Sequence, residues 1–303
     1  MRVWSARKPS ASETSAPDVE ATASVSEATD SKVDVVALLG GLPMQHASVS
    51  RALAVLDDAN ASAQDIAAVL ESDPALCARA LQLANSAHFG MSGRVTSVDQ
   101  AVVTLGATAM RTLVVSTAAG VFGHPDDLPA GFWNHSVAVA AATAIAARMC
   151  AVPRGDAICA GLLHDLGAAL LFRYDRTGYG TRLVAGADAA DGLLDDETRT
   201  YGATHATLGA AALAAWKLPP SIVEALRAHH HDPQHCDSKI ARVVVAGEAL
   251  AHAAFDSPPF AHEPAQDPAA VFDALGLRIA SVDMLVTRTA EETEILAQML
   301  ATS

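Results

Sequence analysis

The sequence predicts an all-α fold, and three features carry that prediction. Apolar residues make up 51% of the 303-residue chain, much of it alanine, and aromatics only 4%. Alanine and leucine are strong helix formers, and β-branched runs are short. Helix-start signals recur along the chain, each followed by apolar residues three or four positions apart. The expected organisation is a leader over 1–34, an N-terminal helical bundle over 35–127, a second helical subdomain over 128–256, and a proline-rich loop with a C-terminal helical segment over 257–303.

Residues 1–34 are rich in Ser, Ala, Thr, Glu and Asp and have little to bury, so they read as a disordered leader. Order is expected to begin near Val35-Val36-Ala37-Leu38-Leu39. Ser62-Ala63-Gln64-Asp65 resembles a capping box with aspartate in the glutamate position, and Ile66, Val69 and Leu70 supply its apolar face. Asp73-Pro74 is an N-cap followed by proline at the first helical position, with Leu76, Ala80, Leu83 and Ala84 behind it. Ser97-Val98-Asp99-Gln100 is a further capping box, and Gly106 ends or bends the helix it opens. Arg111 to Ala119 continues as a buried helix.

Gly123-His124-Pro125-Asp126-Asp127-Leu128-Pro129 breaks the pattern and marks the subdomain boundary. A helix is expected from about Phe132 to Met149. The next starts at Asp156 and carries His164 and Asp165. A third starts near Thr204 and carries His205, Leu208, Ala212 and Trp216. Pro219-Pro220-Ser221 opens a fourth, with Ser221 and Glu224 at capping-box spacing, which runs into His229-His230-His231. Ala269 to Leu300 shows scattered helical periodicity and is expected to pack back on the core.

The net charge of −14 argues against a nucleic-acid partner, which needs a basic face that no Lys/Arg cluster supplies. The acidity reads as solubility. Cys77, Cys150, Cys159 and Cys236 lack C-x-x-C spacing and read as reduced, mostly buried thiols. No stretch approaches a spanning helix free of charge or proline, and no apolar signal-peptide core follows Arg2, Arg7 and Lys8. The expected location is the cytoplasm, with no membrane partner.

Seven of the twelve histidines lie between residues 135 and 235. Gly161-Leu162-Leu163-His164-Asp165-Leu166-Gly167 places an imidazole and a carboxylate side by side at the end of an apolar run. Burying both is costly unless something pairs with them. A divalent metal is one such partner, and a hydrogen-bonded pair in a helical core is the other. Single histidines on helices are usually core or capping residues. Several on successive helices can converge on one centre. Adjacent helical residues differ by about 100°, so His164 and Asp165 can share a metal only at a helix end, which Gly167 is expected to loosen.

The span from about Leu38 to His231 resembles the HDOD domain, the HD-related output domain of bacterial signalling proteins. The resemblance rests on Gly41-Leu42-Pro43, Glu71 to Leu76, Leu83 to Phe89, Val95 to Val98 with Leu105-Gly106, Phe132 to Ser136, Gly161 to Gly167, His205 to Ala210 and Ile222 to His230, in that order. It implies an all-helical fold, with an N-terminal bundle packed against an HD-like subdomain. It also implies regulation more than chemistry, acting on a signalling protein bound in trans.

His135, His164 and Asp165 match the first three metal-ligand positions of HD phosphohydrolases, and a divalent metal is the cofactor this implies. His205, His229 and His230 resemble the additional histidines of HD-GYP phosphodiesterases. Three departures stand against catalysis. The lysine that follows His-Asp-x-Gly in HD-GYP enzymes is Ala168 here, the closing aspartate is replaced by Gly247-Glu248, and Asp232-Pro233-Gln234 stands where Gly-Tyr-Pro would follow the histidines. No catalytic residue is therefore assigned. Three functions remain open: a non-catalytic signalling module, a metal-dependent phosphohydrolase acting on a nucleotide or cyclic dinucleotide, and a polar cluster that only organises a core. Asn85, Ser86 and His88 read as capping and packing groups at a helix end.

Overall fold

The computed structural model describes residues 47–85, 94–118, 128–186, 192–255 and 266–301, and among these every regular element is helical. The expected leader, most of the Gly123–Pro129 break, most of the 257–268 loop, and Ser86 and His88 lie outside the described residues.

The N-terminal half comprises α1 (Ala47–Asp57), α2 (Ala63–Glu71), α3 (Pro74–Ala84) and α4 (Val98–Ala118). Local chemistry sets their starts. Ser62 accepts from Asp65 N while the Asp65 carboxylate accepts from Ser62 N, the reciprocal capping box. Asp73 accepts from Leu76 N at 3.3 Å and caps α3. Ser97 accepts from Gln100 N, and the Gln100 side chain reaches back to Thr96 N. Gly106, at φ +78°, kinks α4 as its glycine predicts. Asn85 holds the chain after α3 by exchanging hydrogen bonds with both the N–H and the C=O of Val95, a packing role.

The second half comprises α5 (Phe132–Cys150), α6 (Arg154–Leu163), α7 (Leu166–Tyr174), α8 (Arg176–Gly186), α9 (Gly192–Tyr201), α10 (His205–Ala215), α11 (Pro220–Ala228) and α12 (Lys239–Ala254). Then follow α13 (Pro268–Ala274) and α14 (Val282–Ala301). Helix α5 is the axis of this half. It is buried without interruption from His135 to Ala147 and packs against α6, α12 and α14. Its alanines allow close approach. A Cβ on Gly247 of α12 would stand 2.9 Å from Thr143 N, and one on Gly161 of α6 would stand 2.8 Å from Ala140 Cα. The C-terminal helix α14 packs back on α5, α12 and α3, as its periodicity predicts.

Two expectations are corrected. The helix expected to carry His164 and Asp165 ends at Leu163, and a new one begins at Leu166. Ser221 and Glu224 do not form a capping box, because Pro219 is the N-cap and Pro220 the first helical residue of α11.

Arg111 joins the two halves. Its guanidinium donates to Trp216 O (3.1 Å) and Leu56 O (2.6 Å) and pairs with Asp57 at 2.8 Å. Lys217 reaches the same carboxylate at 2.6 Å. The segments Val98–Thr117 and Arg154–Tyr174 are long and apolar enough to cross a membrane by length and composition alone. The first is kinked at Gly106 and the second broken at Asp165. They are 61% and 83% buried within the bundle, so the core accounts for their apolar character.

Candidate metal centre

His135 lies in the first turn of α5, where its N–H donates to Gly131 O. His164 ends α6, and Asp165 is the N-cap of α7 (φ −98°, ψ 16°). An N-cap aspartate ordinarily accepts from the amides of its own helix. Asp165 makes no such bond, and its carboxylate points instead into a group of imidazoles. His205 is the first residue of α10, behind the Thr204 cap, and His229 ends α11. Most of these donors therefore stand at helix ends, where adjacent side chains escape the 100° spacing of a continuous helix. Gly167 does not loosen the break. It is small because a Cβ there would stand 2.7 Å from the carbonyl carbon of His205 and 2.8 Å from Gly209 N.

The structure brings all six residues named from the sequence to one place. Asp165 Oδ2 lies 3.1 Å from His164 Nε2 and 3.4 Å from His135 Nε2. Asp165 Oδ1 lies 3.3 Å from His205 Nε2 and 3.4 Å from His229 Nε2. His135 Nε2 is 3.0 Å from His164 Nε2, and His205 Nε2 is 2.8 Å from His230 Nε2. Asp165 thus divides the histidines between its two oxygens, with His230 joining the second group.

The far side of three rings fixes their tautomers. His164 Nδ1 faces Gly161 O at 2.8 Å and His229 Nδ1 faces Leu226 O at 2.6 Å. A carbonyl only accepts, so each Nδ1 carries the hydrogen, and in the neutral ring the Nε2 lone pair is aimed inward. His205 Nδ1 sits 2.9 Å from both oxygens of Glu197. Glu197 also accepts from His205 N (2.7 Å) and from the Tyr179 hydroxyl (2.6 Å).

Two of the buried imidazoles favour their charged form beside the carboxylates. Burial opposes the charged form of His164, but the charge and hydrogen bond of Asp165, with Glu248 and the Gly161 carbonyl, push it up to about 9. His205 is raised well above its ordinary value against the same penalty, chiefly by Glu197 and then Asp165. Burial would raise Glu248, yet His164 and His229 hold it below the usual carboxylate range. Burial lowers His252, only partly offset by Glu248.

The donor set fits divalent metal. Two donors each 2.0–2.1 Å from one ion stand about 2.9 Å apart at right angles and about 3.4 Å apart at tetrahedral angles. The separations at Asp165 span 3.1–3.4 Å, and the His135–His164 and His205–His230 pairs stand at 3.0 and 2.8 Å. His229 Nε2 is buried with no hydrogen-bond partner among the described residues, which suits a ligand better than a core imidazole. His135, His164 and Asp165 would hold one ion, and Asp165, His205, His229 and His230 a second.

Sequence reasoning missed Glu197, Tyr179 and His252. Glu197 hides in the acidic run Asp195-Asp196-Glu197, but Leu193, Glu197 and Tyr201 recur every fourth residue and are the buried face of α9. That spacing was the available signal. His252 stands four residues after Glu248 on α12. Glu248 itself, which stands where the closing aspartate is missing, faces the pocket histidines. Ala168 is fully buried and brings no cation.

Known proteins place this architecture. A solved structure from Shewanella amazonensis SB2B, a candidate phosphohydrolase, shares 26% identity with a TM-score of 0.65, covering 88% of this chain and 98% of that one. A candidate signal transduction protein from Marinobacter aquaeolei VT8 shares 26% identity with a TM-score of 0.61, over 87% and 60% of the two chains. An HDOD domain protein of unknown function from Geobacter sulfurreducens has the same fold at 22% identity, with a TM-score of 0.56 over 88% and 96%. An uncharacterized Treponema pallidum (strain Nichols) protein is 28% identical over 226 residues, 69% of this chain. The chain spans about two fifths (41%) of that relative's length. The HDOD domain family matches residues 42–232, which take in the N-terminal bundle and all six pocket residues, and the chain belongs to that family.

Proposed function

We propose that this chain is a signal-output module that acts by binding a signalling protein in trans, with divalent metal held in the Asp165 pocket as part of its working fold. The observation that carries this reading is the closure of the pocket. His135, His164, Asp165, His205 and His229 are each no more than 3% exposed, and only His230 and Glu248 are half-buried. Closed sites of protein donors are the mark of structural metal, whereas catalytic sites keep an open position. The charged groups acting most strongly on His164, His205, Glu248 and His252 are histidines and carboxylates, with no lysine or arginine among them. Phosphoryl transfer ordinarily has such a cation to meet developing negative charge. The net charge of −14 favours a protein partner over nucleic acid or an anionic membrane.

Metal analysis of the purified chain tests the reading. Bound divalent metal is expected, lost in His164→Ala with the helical fold retained, and no turnover of a phosphodiester is expected in the loaded protein. Absence of metal would remove the basis of the proposal.

A second reading, a metal-dependent phosphohydrolase, is favoured by one observation: Asp165 splits four histidines into two pairs, as in two-metal sites. Bound divalent cations supply Lewis acidity and lower the pKa of a bound water. In this reading Asp165 joins the two halves, Glu197 orients His205, and substrate enters past His230 and Glu248. Metal-dependent release of nitrophenol from bis(p-nitrophenyl) phosphate, abolished in Asp165→Asn, would establish it in place of the first.

A further inference from the structure

A third group of donors borders the pocket and shares His135 with one of the two that meet at Asp165. Glu248 and His252 are four residues apart on α12 and so share one face of that helix. His135 faces them from α5, and one donor atom from each of the three lies within 4.8 Å of the others. The His135 and His252 ring centroids are 5.4 Å apart. Close packing of α12 on α5 through Gly247 and Thr143 sets this approach. His252 is only 8% exposed, and its Nε2 is buried with no hydrogen-bond partner among the described residues. An imidazole nitrogen left that way is costly unless something pairs with it.

We propose that Glu248 and His252, with His135, hold a further divalent cation on the outer side of the pocket. The proposal rests on the reading of the pocket as metal-binding. Two imidazoles and one carboxylate suit zinc, cobalt, manganese or ferrous iron better than magnesium or calcium, which prefer oxygen. Glu248 is half-buried while His164 and Asp165 are sealed, so this position is nearer solvent than the one at His164 and Asp165. His135 is common to the outer and inner groups, so the two positions are coupled through one ring. The group at His205, His229 and His230 shares no residue with it.

The test compares the full chain with His252→Ala. Both proteins are stripped by chelator and equilibrated by dialysis against Co(II) at rising concentration. Metal per chain is then counted by mass spectrometry, and the fold is checked by circular dichroism. The expected result is one cation fewer in His252→Ala, with the remaining cations held as in the parent. Equal counts would overturn the outer position and leave the Asp165 pocket standing. No cation in the parent would overturn both. Should His252→Ala lose its helical signal, His252→Gln, which keeps the bulk and polarity but not the imidazole, carries the same comparison.

Discussion

Replacing Gly167 with alanine is expected to open one half of the Asp165 pocket and spare the other. A Cβ at this position would stand 2.7 Å from the carbonyl carbon of His205 and 2.8 Å from Gly209 N, where ordinary contact begins at 3.4 Å. Both are backbone atoms of α10, so no side chain can turn aside. Gly209 offers no slack, since a Cβ there would itself stand 2.9 Å from Gly167 N. The His205 carbonyl oxygen would be closer still, so helices α7 and α10 must separate by more than the roughly 0.5 Å that a coordinating group tolerates. Overpacking of this kind costs about 1–3 kcal/mol. Asp165 precedes α7 and His205 begins α10, so their 3.3 Å separation changes directly. His135 and His164 belong to α5 and α6 and keep their places. Urea unfolding should show a lower midpoint with an unchanged slope, and Co(II) dialysis should show loss of the cation at His205, His229 and His230 alone. A Gly167→Ala protein that unfolds with the parent and binds the same number of cations would refute the argument.

Glu197→Gln is expected to weaken metal at the same half by about 10–100-fold, because the amide cannot meet His205 Nδ1, His205 N and the Tyr179 hydroxyl as the carboxylate does. A Co(II) titration indistinguishable from the parent would assign Glu197 to packing only. The metal-free protein should lose stability at high pH. The folded-state pKa of His164 is raised to about 9, so its stabilising contribution is complete below the unfolded value near 6.5 and disappears as pH rises through about 9. That contribution is roughly 3 kcal/mol at most. Urea midpoints of chelator-treated protein should fall across this window, and a flat profile would contradict the assignment. Arg111→Ala should cost about 2–4 kcal/mol in urea unfolding, because it strands the Trp216 and Leu56 carbonyls. Lys217 still pairs with Asp57, which keeps the loss below that of a fully buried broken pair. A change under about 0.5 kcal/mol, typical of surface sites, would show that the two halves do not depend on this contact.

Much of the fold is legible locally. The caps at Ser62, Asp73, Ser97 and Thr204 and the kink at Gly106 are made by residues within four positions of each other. Where a local signal competed with a nearby alternative, the reading failed: Pro219 and Pro220 start α11 two residues before Ser221 and Glu224 could. The break between Leu163 and Leu166 escaped because the apolar pattern runs straight through it. Asp165 departs from helical geometry while its carboxylate sits among imidazoles from other helices. Glu197 escaped notice because its partners, Tyr179 and His205, lie 18 and 8 residues away.

The sequence by itself determined the helical class and most helix starts, and offered His135, His164, Asp165, His205, His229 and His230 as candidate ligands. These follow from propensity, capping and side-chain chemistry, which act over a few residues. Only the tertiary structure decided that the six converge, that Asp165 parts them into two groups, and that Glu197, Glu248 and His252 stand behind or beside them. Those facts depend on how closely α5, α7, α10 and α12 approach, which Gly161, Gly167, Gly209 and Gly247 permit through backbone contacts. The sequence pattern of any one helix does not contain that distance.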